Sequence, residues 1–328
     1  MADLSVNYMG LKLKNPVIVG SSGLSKNAGG VQKISAAGAG AIVLKTLFEV
    51  SIEKESDNLE DSFQHDDAHT EAHDLVHDMN YQYKVGEYID LIKSAKDDLK
   101  IPVLASLNCY KPETWIDLTK QIEKAGADAI EINMSYFDDS RKKTALQIED
   151  EQVEIVNSVL ENTKLPVSVK IGPYYSSLPN FVERLSHRGV KGVVMFNRFY
   201  KVDIDLENFD FIAGQRFSSP VEMSSALRWT ALLSNKIDCD FVGSTGIKTG
   251  EDVIKMILAG AKAVEVASAF YENGISYIGR ILDQMNNWLD EHGFDELGVL
   301  RGRLCQEKLK SQKFWNRHQY IKILTGID

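Results

Sequence analysis

The stretch FVGSTGIKTGEDVIKMILAGAKAVEVASAF, residues 241–270, decides the fold. It opens on an apolar run ending in Gly243-Ser244-Thr245-Gly246, passes through a segment with apolar residues at three- and four-residue spacing, and closes on a second apolar run ending in Ala267-Ser268. Strand, helix, strand in that order is the unit of parallel β/α architecture. The glycine of LAGAKAVEV predicts a helix that stops in a left-handed turn just before the next strand. The same punctuation recurs in AAGAGAIVL, KAGADAIEI and HRGVKGVVM, so the unit repeats along the chain.

Working outward from it, eight short β-branched runs read as strands: PVIVG (16–20), AIVLK (41–45), PVLASL (102–107), AIEIN (129–133), PVSVKI (166–171), GVVMF (192–196), DFVG (240–243) and AVEVA (263–267). Helical spacing of apolar residues lies between them, at 115–124, 153–160, 181–188 and 251–259. No GxGxxG follows the first strand, where the chain reads PVIVGSSGL, and this disfavours a Rossmann dinucleotide fold. The expectation is an α/β protein, a (β/α)8 TIM barrel in a single domain over residues 1–328. Two parts lie outside the repeat. LSVNYMGLKLKNP (4–16) alternates around Met9-Gly10 and predicts a β-hairpin that closes the barrel bottom. The acidic, histidine-bearing stretch 47–86 predicts a long insertion after the second strand, rising as a lid over the C-terminal face where barrel active sites sit.

Composition narrows the function. The 328 residues are 44% hydrophobic and 26% charged, with a formal charge of −10 that opposes binding to nucleic acid phosphates and anionic lipid. There is no basic-then-apolar leader and no apolar run of about 18 residues. A cytoplasmic enzyme with a small-molecule substrate is expected, with neither nucleic acid nor membrane as partner. Cys109, Cys239 and Cys305 form no metal or redox spacing and read as reduced structural thiols.

The small residues ending the last two strands match a barrel phosphate site, in which backbone N–H groups and a helix dipole favour an anion. The same glycines also fit tight turns that carry no ligand. Lys45 and Lys170 each end a strand, where an ammonium is costly unless it meets an anion, and the two are expected to converge on the barrel mouth.

NPVIVGSSG (15–23), LKT (44–46), EINMS (131–135), VSVKIGP (167–173), Asn197 after GVVMF, and the stretch ending at Phe270 together resemble the dihydroorotate dehydrogenase family, in order over almost the whole chain. The resemblance implies an FMN-containing barrel that oxidises or reduces a carbon–carbon bond next to a carbonyl in a small ring. It implies a role in pyrimidine biosynthesis if dihydroorotate is the substrate, and a homodimer. Carried over by position, Ser21, Ser22 and Gly23 would line the flavin ring, Lys45 and Thr46 its edge, and Asn108 and Asn133 its polar atoms. Lys170 would face the N1/O2 edge. Ser219, Gly243, Ser244, Thr245, Gly246, Ala267 and Ser268 would hold the phosphate, and Asn133 and Asn197 would orient the substrate.

The chain departs from the family pattern at the substrate. Tyr136 occupies the position of the catalytic base, and a tyrosine with an ordinary pKa near 10 needs strong help to lose a proton at neutral pH. Asp78 and Asp138 replace substrate-binding asparagines. Two carboxylates beside the carboxylate of dihydroorotate are repulsive, so a neutral or cationic substrate is expected. The alternatives are a flavin reductase of different substrate, a non-catalytic FMN-binding protein, and a flavin-free barrel for a phosphorylated ligand.

His65, His69, His73 and His77 recur at four-residue steps. On a helix at about 100° per residue the row drifts about 120°, so one ion cannot reach all four, and a solvated acidic helix without metal is expected, with metal binding by an adjacent pair or a pH-responsive lid as the alternative. Tyr81, Tyr83, Tyr136, Tyr174 and Tyr175 are predicted at the mouth, as an aromatic wall or a cover over the flavin. The basic, amphipathic stretch 301–317 predicts a packed terminal helix.

Overall fold

Residues buried on both faces make strands that read as nearly continuous apolar runs. All eight expected runs form such strands in the computed structural model, which describes residues 2–52, 54–55, 70–108, 112–135, 141–199 and 201–306, without the side chains of 70–78 and 112–113. The chain starts with the antiparallel hairpin β1 (Val6–Tyr8) and β2 (Leu11–Leu13). The barrel strands are β3 (Val17–Val19), β4 (Ala41–Val43), β6 (Val103–Asn108), β7 (Ala129–Asn133), β8 (Val167–Ile171), β9 (Gly192–Met195), β12 (Asp240–Ser244) and β13 (Ala263–Val266). Each pairs in parallel with the next, and β13 returns to β3 with Val264 opposite Val17. The ring is closed, a (β/α)8 TIM barrel.

Strand side chains alternate between faces with period two. The inward set is apolar low in the barrel, where Ile18, Val43, Leu104, Ala129, Val194, Val242 and Ala263 pack together. Two residues further along, the same strands carry Ser106, Glu131, Ser244 and Glu265, and then Asn108 and Asn133. Each strand therefore runs from an apolar floor to a polar C-terminal mouth. The hairpin seals the floor as expected: Tyr8, Met9 and Leu13 join the lower cluster, with Tyr8 fully buried. Gly192 makes room for it, because a Cβ there would lie 2.7 Å from the Tyr8 hydroxyl and 2.9 Å from the Met9 sulfur.

The glycines before the strands act as expected. Gly189 and Gly260 cap the helices Leu178–Arg188 and Gly250–Ala259 in the left-handed conformation, at φ 105° and 114°.

The stretch 47–86 differs from its expected form. Leu47–Phe48 forms β5, which extends the sheet beside the end of β6. The helix Thr70–Asp98 then runs through Gly86 without a break and is the outer helix joining β4 to β6. Its buried residues Val85, Tyr88, Ile92 and Ala95 recur every three or four positions, the spacing of one helix face, which is what docks it on the barrel. Much of the apparent insertion is thus a regular barrel element. His65 and His69 lie outside the described residues, as do the side chains of His73 and His77.

The sequence reading missed a second hairpin, β10 (Val202–Asp205) and β11 (Asp210–Ala213), which follows β9. Ile204 sits opposite Phe211, both exposed, and Phe209 at the turn is 90% exposed. Its aspartates at alternate positions make the stretch read as a polar loop. Of the stretch 301–317, residues 301–306 are described and form turns. Among the described residues no helix is long and apolar enough to cross a membrane.

Candidate active site

The polar C-terminal mouth gathers three groups of side chains. The first is a hydrogen-bonded ring across the ends of β3, β4, β6, β7 and β9. Ser21 Oγ lies 2.7 Å from Thr46 Oγ1, which lies 2.8 Å from Ser106 Oγ and accepts a bond from Asn133 Nδ2 at 3.2 Å. Asn108 Nδ2 donates to the Asn133 carbonyl at 2.8 Å. Asn197 Nδ2 donates to Asn133 Oδ1 and Ser135 Oγ, both at 2.6 Å. Outside the ring, Tyr88 from the helix Thr70–Asp98 locks Ser106: its hydroxyl donates to the Ser106 carbonyl at 3.1 Å and takes the Ser106 N–H at 2.8 Å.

The second group is charged. Lys170 Nζ donates to Glu265 Oε2 at 2.7 Å, and Glu131 lies in the same barrel interior, fully buried. Burial alone would push the lysine's pKa down, yet the Glu265 and Glu131 carboxylates hold it above its ordinary value, so the ammonium persists. Burial, joined by the negative Glu265, drives the Glu131 pKa well above the usual carboxylate range.

The third group belongs to the last two strand ends. Gly20, Ser21, Lys170, Asn197, Ser218, Ser244, Thr245, Gly246, Ala267 and Ser268 line one cleft. Gly246 has φ 80°, and a Cβ on it would lie 2.5 Å from the Met223 nitrogen and 2.7 Å from the Ser219 carbonyl oxygen, so only glycine fits this turn. Ser218 Oγ accepts the Gly246 N–H at 3.1 Å, and the Ser218 N–H donates to Ser268 Oγ at 3.2 Å, tying the two turns together.

The profile of the family described as dihydroorotate dehydrogenase matches residues 70–289, well over half of the chain. The chain belongs to the dihydroorotate dehydrogenase family. Among its curated relatives are proteins named dihydroorotate dehydrogenase B (NAD(+)), catalytic subunit. The one from Thermoplasma volcanium is 26% identical over 306 residues, spanning 92% of this chain and 98% of the relative. The one from Methanocaldococcus jannaschii is 24% identical over 296 residues, spanning 88% and 94%. The one from Pyrococcus abyssi is 26% identical over 303 residues, spanning 91% and 98%.

Within this dihydroorotate dehydrogenase-family barrel several expected site residues stand elsewhere than the sequence implied. Lys45 is solvent-exposed and lines a neighbouring cleft with Lys26, Ser51 and Lys84, so it does not converge with Lys170. The chain leaves β4 after Val43, and Thr46 takes the buried, inward place instead. Ser219 turns to Glu222, whose Oε2 takes its N–H at 2.6 Å, while the adjacent Ser218 faces the cleft. Burial opposes the charge of Glu222, but bonds from Lys201, the Ser219 N–H and Arg198 lower its pKa to about 2. At the N-terminus of the helix Gly250–Ala259 the capping box of Thr249 and Asp252 takes two N–H groups and Gln284 takes that of Gly250, which leaves fewer donors for an anion at that dipole. Tyr175 stacks on Phe181 at 4.2 Å and donates to Gln152, packed against a helix rather than over the cleft. Tyr174 is 80% exposed beside Phe199, Tyr83 is exposed and Tyr81 half-buried.

Tyr136, Asp138 and Cys109 lie outside the described residues, as does the side chain of Asp78. Burial, with Asp240 and Asp238 nearby, pushes the Cys239 thiol up to about 12, and Cys305 is buried beneath Asn235. The residues that sequence reading missed are Ser218, Ser106 and Glu265. Ser106 and Glu265 were visible only as period-two positions on strands already assigned.

Proposed function

We propose that this protein is an FMN-dependent oxidoreductase acting on a carbon–carbon bond beside a carbonyl in a small cyclic substrate. The observation that carries the reading is the barrel mouth, where Ser21, Asn197, the Lys170 ammonium and two small-residue turns line one cleft and the amides and hydroxyls of Thr46, Asn108 and Asn133 are hydrogen-bonded beside it. That donor set suits a polar, planar ring ending in a phosphate. Ser22 Oγ supports it further, being buried without a partner among the described residues. Ser21, Ser22, Gly23, Thr46, Asn108, Asn133 and Lys170 would hold the ring system. Ser218, Ser244, Thr245, Gly246, Ala267 and Ser268 would hold the phosphate, with Ser218 taking the place first given to Ser219. Bound FMN supplies a two-electron hydride acceptor or donor.

The chain's own residues then orient and balance charge. Asn133 and Asn197, already bonded to each other, present a fixed amide pair to a substrate carbonyl or ring nitrogen. Lys170 keeps a positive charge at the ring's edge, where it stabilises negative charge. Tyr136 is the proton donor or acceptor by position, and Asp78 with Asp138 turns the substrate preference towards a neutral or cationic ring. A homodimer in the cytoplasm accompanies this reading, and a role in pyrimidine biosynthesis would follow only if dihydroorotate itself reacts.

An absorbance spectrum of the purified protein tests the cofactor: a flavin spectrum, or its appearance on adding FMN, is expected, and neither one would overturn the reading. Anaerobic titration with dihydroorotate tests the substrate, and stoichiometric bleaching would overturn the neutral-or-cationic preference. Turnover of a panel of cyclic amides with an artificial electron acceptor separates an enzyme from a flavin-binding protein. Sedimentation gives the assembly.

A further inference from the structure

Among the described residues, three buried carboxylate oxygens have no hydrogen-bond partner: Glu131 Oε1, Glu131 Oε2 and Glu265 Oε1. They belong to two carboxyl groups on opposite sides of the barrel interior, on β7 and β13, within hydrogen-bonding reach of each other. The fourth oxygen, Glu265 Oε2, is taken by Lys170 at 2.7 Å. If both groups are ionised, two negative charges share one ammonium in a dry interior, and three acceptors go unmet, each at a desolvation cost. A single proton removes the charge conflict and meets two of the three oxygens, because a protonated carboxyl becomes a donor to its neighbour. The other titratable groups facing the pair among the described residues are Lys170 and Tyr8. Burial, with Glu131, Glu265 and Asp240 nearby, raises the Tyr8 hydroxyl well above its ordinary pKa, so it stays neutral.

We infer that Glu131 and Glu265 share one proton across the barrel interior, so that the pair presents a single negative charge to Lys170 and the three groups together are neutral. They act as positioning residues: Glu265 holds the ammonium, and the shared proton keeps its counter-charge at one. With one proton between two carboxyls, replacing either by glutamine takes that proton away with it: the remaining carboxylate balances Lys170 and the count is unchanged. The consequence for the flavin rests on the function proposed above; the shared proton does not.

The test uses the full chain and the variants Glu131→Gln, Glu265→Gln and the double variant. At neutral pH the infrared spectrum of the parent is expected to contain the carbonyl band of a protonated carboxyl, shifted in D2O and lost in both single variants. A parent without this band, or a band that survives in either single variant, overturns the inference. With FMN bound, the ratio of reduced to oxidised flavin at a fixed potential is expected to stay within about threefold of the parent in each single variant. It is expected to change on the order of tenfold in the double variant, where one unit charge is lost. Single variants that each shift the ratio as independent charges, adding up to the double, also overturn it. If the parent takes up no FMN, the flavin reading fails and the infrared result still decides the proton; if the double variant does not fold, the two single variants suffice.

Discussion

Lys170 shows what a residue does once its partner is known. In the sequence it is a cation ending a strand; in the barrel it is tied to Glu265, 95 residues away. Lys170→Met is expected to lower stability by about 3 kcal/mol in urea unfolding, because it strands the Glu265 carboxylate in the interior. Glu222 makes a pH prediction. Its folded pKa of about 2 is below its ordinary 4.5, so its contribution to stability is complete above pH 4.5 and is lost as pH falls from there toward 2. Thermal melts across that window are expected to lose less stability in Glu222→Gln than in the parent. Both residues were legible in type but not in role, since the role is set by charges that only folding brings near.

At the scale of elements, the helix Thr70–Asp98 is the instructive case. Acidic residues and histidines crowd its first turns, and Gly86 interrupts its apolar spacing, so it reads as loop followed by helix. Docking of Val85, Tyr88, Ile92 and Ala95 on the barrel outweighs the glycine's weak propensity, which costs about 1 kcal/mol against alanine. Gly86 is exposed, and a Cβ on it would meet nothing within 4 Å. Gly86→Ala is therefore expected to raise stability by about 1 kcal/mol, measured by chemical denaturation. The strand ends were more legible than this helix. A strand buried on both faces announces itself as an apolar run, and the left-handed glycine before it marks its start.

For the whole molecule, the barrel depends on its floor. Tyr8, supplied by a hairpin from outside the repeat, fills the lower interior beside Gly192. Tyr8→Ala is expected to cost about 3–5 kcal/mol, through lost burial and the cavity left behind, with a matching fall in melting temperature. By contrast Phe209 and Phe211, on the exposed hairpin β10–β11, bury little within the chain, and Phe209→Ser is expected to change the melting temperature hardly at all.

The residues by themselves determined the barrel, its hairpin floor and the family, because period-two burial, capping glycines and ordered motifs are local signals that survive in one dimension. Through the family resemblance they also proposed Asn133, Asn197, Lys170 and the turn around Gly246 for one candidate site. Only the tertiary structure decided which neighbour turns inward: Thr46, buried in the hydrogen-bonded ring, rather than exposed Lys45, and Ser218, at the cleft, rather than Ser219. Only it joined Glu131, Lys170 and Glu265 into one charged group. The physical reason is the same in each case: a side chain's direction and its electrostatic partners depend on where the chain bends and on strands distant in sequence, and neither is written in local spacing.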